Sequence, residues 1–257
     1  MTIEDVCAFL RGKAPEESAE AWDNPGLLVA GRGRELSAVL VTLDVTPAAL
    51  EEAEREGAGL IVSHHPVIFD PLRRLDAEDM PYRLAAAGIA AYAAHTNLDK
   101  APGGVNDALA ARLHLEQVTA APDGLCRVGC LPAAMEARDF ARLVARRLKT
   151  PVRACGEGLV RRVGLCGGAG GGEWAALRPA VDAFVTGEVK HHQWLAARQA
   201  GVVLVDAGHY ATEVGIVDTL EAWLKEGFPA LRVIVHRGDS PYAIIDSSGK
   251  GGGRHGL

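Results

Sequence analysis

The sequence contains no apolar run that approaches the roughly 20 residues needed to cross a bilayer. The N-terminal stretch MTIEDVCAFL also has no basic region of the kind that opens a signal peptide, because Glu4 and Asp5 stand there. Its apolar residues recur at helical spacing instead of forming a continuous run. We therefore expect a cytoplasmic protein with no membrane partner.

An excess of positive charge is missing as well. The chain has 27 Lys and Arg against 33 Asp and Glu, which gives a formal net charge of -6. Nucleic acids and anionic membranes are bound through basic faces, so nonspecific binding to nucleic acid is not expected. The cysteines are few, odd in number and without zinc-ribbon spacing, which favours reduced thiols over a disulfide scaffold. They are Cys7, Cys126, Cys130, Cys155 and Cys166.

Apolar runs of strand length alternate with segments of helical period along most of the chain. This pattern is typical of an α/β fold with a largely parallel sheet. Strands are predicted at 37–44, 59–65, 89–96, 160–168, 182–188, 202–209 and 231–237. Helices are predicted at 3–10, 46–57, 104–113, 136–148, 173–181, 189–200 and 213–227.

A weak internal repeat accompanies this alternation. AAYAAHTNLD and VVLVDAGHYATE each run from an apolar strand into a histidine that is followed four residues later by a carboxylate. GLIVSHHP and AFVTGEVKHH each end a strand with paired histidines. We therefore predict two intimately associated α/β halves, 1–115 and 116–246, related by a pseudo-twofold, with mixed, mostly parallel sheets flanked by helices. The glycine-rich and serine-rich tail, 247–257, is expected to be disordered.

Histidines and carboxylates gather where the predicted strands end, which is the edge at which ligands bind in open α/β sheets. Imidazole and carboxylate together suit zinc, manganese, iron and similar divalent ions. Because four separate strand ends each contribute such residues, we predict a metal cleft between the halves. The candidates are His64, His65, His95, Asp99, Glu188, His191, His192, His209 and Glu213.

Each motif taken alone also has an ordinary interpretation. An isolated His-His dipeptide is more often a plain surface or core pair, and AHTNLD could be a helix cap or an Asx turn. GHYATE could be an exposed first turn of a helix, and adjacent histidines in TGEVKHH cannot both face one cleft. Glycines 167, 168 and 170–172 could cradle a phosphate or form a flexible turn. Trp22, beside the turn DNPG, is expected to anchor its loop to the core.

Taken together, the segments WDNPGLLV, VTLDVT, VSHHPVIF, AHTNLDKAPGGVNDALA, FVTGEVKHH and DAGHYATE resemble the signature blocks of the NIF-three-like family. This family is also known as type 2 GTP cyclohydrolase I-like, or dinuclear-metal-centre hexameric, proteins. The resemblance covers roughly residues 1 to 245 and is most specific in SHHP and GHYATE. Residues 116–161 are too few for the inserted domain of longer members, so the chain is similar to the short form.

The resemblance implies a site for two divalent metal ions, of zinc, manganese, iron or magnesium, and a toroidal homohexamer built as a trimer of dimers. The implied ligands are His64, His65, Asp99, His209 and Glu213. Four further residues would lie close by, either supporting the ligands or facing the substrate: His95, Glu188, His191 and His192. Of these, His95, Glu188 and His192 are predicted to take catalytic roles. Glu213 is predicted to bridge the two ions, because a carboxylate can bond one oxygen to each of them. Asp99 is its only rival.

Three functions are compatible with the sequence. The first is a metal-dependent hydrolase of a nucleotide, phosphoester or pterin precursor, in which paired ions activate water. The second is a noncatalytic binding or regulatory protein whose metals stabilise a ring-shaped assembly, although structural zinc sites are usually closed and rich in cysteine. The third is a dinucleotide-binding oxidoreductase, for which a loose glycine pattern ending at Ala175 is the evidence.

Overall fold

Two β-sheets, each covered by helices, form the framework of the computed structural model, which describes residues 1–33 and 35–244. The first sheet contains β1 (Gly26–Val29), β2 (Ala38–Thr42), β3 (Leu60–Ser63), β4 (Ala90–Ala93) and β11 (Arg232–His236). The second contains β5 (Glu116–Ala120), β6 (Arg127–Glu136), β7 (Arg153–Cys155), β8 (Leu159–Leu165), β9 (Ala183–Thr186) and β10 (Val203–Asp206). The predicted α/β class with mixed sheets flanked by helices is confirmed. The first sheet is mostly parallel, as predicted, whereas three of the five strand pairs in the second sheet are antiparallel.

Ten α-helices connect and cover these strands within the described residues. Those of the first part of the chain are α1 (Ile3–Lys13), α2 (Pro47–Glu56), α3 (Met80–Ala87), α4 (Thr96–Lys100) and α5 (Val105–Leu113). The later ones are α6 (Ala137–Leu148), α7 (Trp174–Leu177), α8 (His191–Gln199), α9 (His209–Glu213) and α10 (Ile216–Gly227). None of the described helices is both long enough and apolar enough to cross a membrane.

The two sheets share one strand arrangement. In the first, β2, β3 and β4 are parallel and β1 runs antiparallel beside β4. In the second, β8, β9 and β10 are parallel and β7 runs antiparallel beside β10. The order along the chain is the same in both, so the predicted internal repeat has a counterpart in the strand order. The sheets differ at their other edges, where β11 is parallel to β2 and β6 is antiparallel to β8.

Buried apolar strands and capped helices explain why these segments fold as they do. All five residues of β2 are buried, as expected for a parallel strand covered on both faces. Helix α2 begins with Thr46, whose side chain accepts a hydrogen bond from the amide of Ala49, and Pro47 occupies the first turn. The helix ends at Gly57, which adopts the left-handed conformation.

Several elements differ from the sequence expectation. Strands β1, β5, β6 and β7 and helices α3 and α4 were not predicted, and α7 ends at Leu177 instead of continuing to residue 181. Pro179 accounts for the shorter helix, because proline has no backbone N–H with which to continue the helical hydrogen bonds. Strand β11 lies late in the chain yet joins the first sheet. The division of the chain after residue 115 stays a prediction, and the predicted disordered tail lies outside the described residues.

Candidate metal centre

The first sheet supplies the paired histidines at the end of β3. The ladder with β2 continues past the strand, since the amides of His64 and His65 donate to the carbonyls of Thr42 and Leu43. The Ser63 hydroxyl then donates to the His65 carbonyl at 2.8 Å and closes a turn. The two imidazole rings leave this turn with centroids 4.8 Å apart. This backbone turn therefore brings both rings to one place.

Each of these rings is oriented through its Nδ1 atom. His64 Nδ1 lies 2.9 Å from the carbonyl oxygen of Ala94, and His65 Nδ1 lies 2.7 Å from Oδ1 of Asp44. A carbonyl or carboxylate oxygen accepts hydrogen bonds, so Nδ1 is the nitrogen that carries the hydrogen. The Nε2 atom of each neutral ring is left with a free lone pair. This is the arrangement that outer partners impose on metal-ligating histidines.

The same arrangement recurs at two further strand ends. His209, which follows β10, places Nδ1 2.6 Å from Oε1 of Glu188. His95, which follows β4, places Nδ1 2.8 Å from Oδ1 of Asp23. Hydrogen bonds from His95 and from Thr96 outweigh the effect of burial and hold the pKa of Asp23 well below its usual range. All four imidazoles are thus held by oxygen acceptors at Nδ1.

The carboxylate of Glu213 stands between rings from the two sheets. Its Oε2 atom is 2.9 Å from Nε2 of His209 and 3.1 Å from Nε2 of His65. Its Oε1 atom is 3.8 Å from Nε2 of His64. Oδ1 of Asp99 lies 3.8 Å from the same His64 nitrogen. The five side chains implied as ligands by the family resemblance therefore converge.

Unsatisfied polar atoms mark the middle of this cluster. While the imidazoles are neutral and carry their hydrogen on Nδ1, the buried atoms His64 Nε2 and Glu213 Oε2 have no hydrogen-bond partner within the described part of the chain. A buried polar atom without a partner costs roughly 1–3 kcal/mol, so such atoms call for a cation, a proton or water. Lone pairs of imidazole and carboxylate facing one another are the donor set of a divalent metal ion. The residues present therefore fit the implied metals.

Electrostatics in the cluster agree with that fit. Burial disfavours the imidazolium form, but hydrogen bonds to Asp44 and Glu213 outweigh it and raise the pKa of His65 to about 10. Burial also disfavours the charged form of His209, but hydrogen bonds to Glu213 and Glu188 outweigh it and raise the pKa of His209 to about 9. Burial raises the pKa of Asp99 to about 7, and repulsion from Glu213 adds to it although His64 opposes. The surroundings thus attract positive charge to the space between these groups.

Gly168, which follows β8, leaves room for the cluster. Its φ is +58°, and a Cβ atom there would lie 2.1 Å from Oε1 of Glu213 and 3.2 Å from Nε2 of His209. Its amide donates to the Thr212 hydroxyl, and the amide of Gly167 donates to the Asn106 side chain. These two amides are therefore engaged inside the protein instead of facing a phosphate.

The three residues predicted to be catalytic lie in different surroundings. His95 joins the cluster, with its ring centroid 5.2 Å from that of His64 and 5.6 Å from that of His65. Glu188 is exposed and holds His209. His192 is exposed in the first turn of α8, and the described contacts do not bring it to the cluster. The catalytic roles stay predictions.

Sequence reasoning missed the residues that orient the rings. Asp44 and Asp23 act on histidines that follow other strands, 21 and 72 positions away. For Asp44 a signal was available. It follows β2, and β2 neighbours β3, the strand that ends at SHHP. The expectation for Trp22 was wrong, because its side chain is 59% exposed and does not anchor the loop in the core. The reason is that the neighbouring Asp23 and Asn24 attach the loop instead.

A cavity of about 840 Å³ opens beside His209 and Glu188. Arg153 and Lys190 contribute cationic groups to its wall, and Asp206 pairs with Arg153. His209 is the residue that this cavity shares with the cluster.

The protein is therefore an α/β protein with a candidate metal centre. Its two helix-covered sheets bring histidines and carboxylates together in one cluster. A family model described as Duf34/NIF3 (NGG1p interacting factor 3) matches residues 1–241. The chain belongs to this family, as the resemblance in its sequence motifs predicted.

Relatives and solved structures agree with this assignment. The chain is 36% identical over 231 residues to a Streptomyces coelicolor protein named GTP cyclohydrolase 1 type 2 homolog, covering 82% of this chain and 81% of that one. It is 32% identical over 229 residues to NIF3-like protein 1 of Drosophila melanogaster, covering 82% of this chain and 78% of that one. The crystal structure of Staphylococcus aureus hypothetical protein SA1388 superposes with a TM-score of 0.88 at 29% identity, covering 95% of this chain and 99% of that one.

Proposed function

We propose that the protein is a metal-dependent hydrolase with a dinuclear centre for divalent ions of zinc, manganese, iron or magnesium. One observation carries the proposal. The Nε2 atoms of His64, His65 and His209 converge on the buried Glu213 carboxylate, while each Nδ1 atom is held by an oxygen acceptor. This combination orients lone pairs toward a shared space and leaves buried atoms that a cation would satisfy.

The distances divide the ligands into two groups. His64 and Asp99 lie on the side of Glu213 Oε1, and His65 and His209 lie on the side of Oε2. We propose that each group holds one ion and that Glu213 bridges them. A ligand set with only two carboxylates and three imidazoles leaves coordination positions open, as catalytic centres require.

Two divalent ions, when bound, supply Lewis acidity and a water-derived nucleophile at neutral pH. The chain supplies orientation and proton transfer. His95, positioned by Asp23, is the side chain that we propose to move a proton during turnover. Glu188 is a positioning residue, since its contact with the cluster is made through His209.

The substrate class that we propose is a nucleotide, a phosphoester or a pterin precursor. Lys190 and Arg153 in the wall of the cavity beside His209 can contact a phosphate. Asp206, which pairs with Arg153, and Glu188 stand in the same wall and offset their charge. The name GTP cyclohydrolase 1 type 2 homolog, given to several relatives, points the same way. A formal net charge of -6 argues against nucleic acid as the partner. We propose a cytoplasmic homohexamer, built as a trimer of dimers, as the working form.

The experiment is a turnover assay on metal-loaded protein with GTP, a simple phosphodiester and a pterin precursor. We expect hydrolysis of at least one of them by the wild type and loss of that activity in Glu213→Gln. Equal turnover by wild type and Glu213→Gln would show that the metal centre takes no part in the reaction. A metal-loaded wild type that turns over none of them would favour the alternative, a noncatalytic, metal-stabilised ring that binds or regulates.

A further inference from the structure

Two large aromatic side chains are exposed beside the candidate metal centre. Trp22 is 59% exposed and Phe69 is 48% exposed. Their ring centroids are 5.7 Å apart with an angle of 38° between the planes. Aromatic rings carry the largest gain from burial, so a pair of them left on the surface side by side is a feature that calls for an occupant.

These two rings are continuous with the imidazole cluster through His95. The His95 ring lies 6.0 Å from Trp22 and 6.1 Å from Phe69, in both cases edge-on at 73°. On its other side the same ring approaches His64 at 5.2 Å and His65 at 5.6 Å. A planar molecule resting on Trp22 and Phe69 therefore lies one imidazole away from the proposed ligands.

The loops that carry the two rings are fixed to one another. Asn24 Nδ2 donates to the Ile68 carbonyl at 2.7 Å, which joins the loop of Trp22 to the loop of Phe69. Asp23, between Trp22 and Asn24, accepts from the Thr96 amide at 2.9 Å and from His95. The rings are exposed, but their backbone is held, so little ordering is needed when a ligand stacks on them.

We propose that Trp22 and Phe69 form a stacking platform for the planar, fused-ring heterocycle of the substrate and so present that ring to the metal centre. The inference rests on the proposed function, because it takes the substrate to the same cluster. Stacking on aromatic side chains depends on the π-face that all planar bases share, and two adjacent rings offer the area of a fused bicycle. The platform selects for a ring, whereas Arg153 and Lys190 select for negative charge.

The test uses the full chain loaded with manganese and two probes that separate ring from phosphate. Guanosine carries a fused ring without phosphate, and ribose 5-phosphate carries phosphate without a ring. Calorimetric titration should show guanosine affinity reduced roughly tenfold or more in Trp22→Ala and in Phe69→Ala. Trp22→Phe should retain most of it, and ribose 5-phosphate affinity should be unchanged. Tyr82→Ala, which removes a 46% exposed aromatic ring on α3, is the control and should match the wild type.

Three results would overturn the platform. They are a wild type that does not bind guanosine, a Trp22→Ala Phe69→Ala protein that binds guanosine with wild-type affinity, and an equal loss of ribose 5-phosphate binding. A fall in oligomer mass with guanosine affinity intact would show instead that this surface joins copies of the chain. Manganese content, measured on the same samples, reports separately on the proposed function. A protein that binds guanosine but takes up no manganese would refute the metal centre and leave the stacking role intact.

Discussion

The Nε2 atoms of His65 and His209 face each other at 3.4 Å, although 144 positions separate the two residues in the chain. Each ring donates from Nδ1 to a carboxylate, so in the neutral form both facing nitrogens carry lone pairs. Glu213 adds a third acceptor at 2.9 and 3.1 Å. Such an arrangement is stable only with positive charge in the middle, supplied by protons in the metal-free protein and by an ion in the loaded one.

Metal binding should therefore release protons and strengthen as pH rises. The pKa of His65 is raised to about 10 and that of His209 to about 9, so both rings are protonated at pH 7 in the metal-free protein. An ion entering between them displaces about two protons, and acid competes with it. Calorimetric titrations at pH 7 in buffers of different ionisation enthalpy measure this number. An affinity that stays constant between pH 6 and 9 would contradict the assignment.

Glu213→Gln should lower the binding of both ions. The substitution nearly preserves size but replaces one ligating oxygen by an NH₂ group that donates and cannot ligate. Asp99→Asn should weaken mainly the ion on the side of His64, since Asp99 lies 3.8 Å from that ring. His64→Ala and His65→Ala should each reduce metal content while the fold survives. Elemental analysis and circular dichroism of the four variants check this, and full metal content after both histidine changes together would refute the ligand set.

Gly168→Ala should empty the centre without unfolding the protein. The new Cβ atom would be placed 2.1 Å from Glu213 Oε1, so the carboxylate or the loop must shift. Gly57→Ala is a matched control, because Gly57 also has positive φ, +67°, and has nothing within 4 Å of the added atom. Both changes carry a backbone cost of roughly 1 kcal/mol, which thermal denaturation measures. Equal metal content in the two variants would show that Gly168 has no special place at the centre.

Removing the outer partner of His209 should weaken metal binding without removing a ligand. Glu188→Ala frees Nδ1 of His209, and loss of such partners typically lowers metal affinity about 10–100-fold. Glu188→Gln should lose less, because its amide oxygen still accepts from Nδ1. Competition with a chelating dye measures both affinities, and Glu157→Ala, at an exposed glutamate, is the control. A Glu188→Ala protein with wild-type affinity would assign the residue a different role.

The solution mass should be about six times the 27.0 kDa mass of one chain, because closed symmetry is the usual form of a soluble oligomer and the family resemblance implies a hexamer. Light scattering at micromolar concentration measures it. A monomer would refute the hexamer and leave the metal centre untouched.

Strongly periodic elements were predictable from the sequence, and irregular ones were not. Strands β3, β4, β9 and β10 are buried apolar runs, and their ends were correctly marked by polar clusters. Strand β6 escaped notice because Pro132 and a register shift between Cys130 and Met135 interrupt its pattern. The pairing of β11 with β2 depends on tertiary contacts, and no local sequence pattern predicts it.

The candidate metal centre was likewise predictable in part from the sequence. The motifs SHHP and GHYATE marked His64, His65, His209 and Glu213 through family resemblance, and the fold brings them together. The place of His95 between the cluster and two exposed rings depends on two loops that are joined only in the folded chain. His192 is also a candidate from its sequence motif, but it lies exposed in the first turn of α8.

Anomalous diffraction from crystals of the manganese-loaded protein tests the central claim most directly. The account predicts two peaks per chain, one between His64 and Asp99 and one between His65 and His209, with one Glu213 oxygen bound to each. A single peak, peaks elsewhere in the molecule, or two ions of which Glu213 touches only one or neither would contradict it.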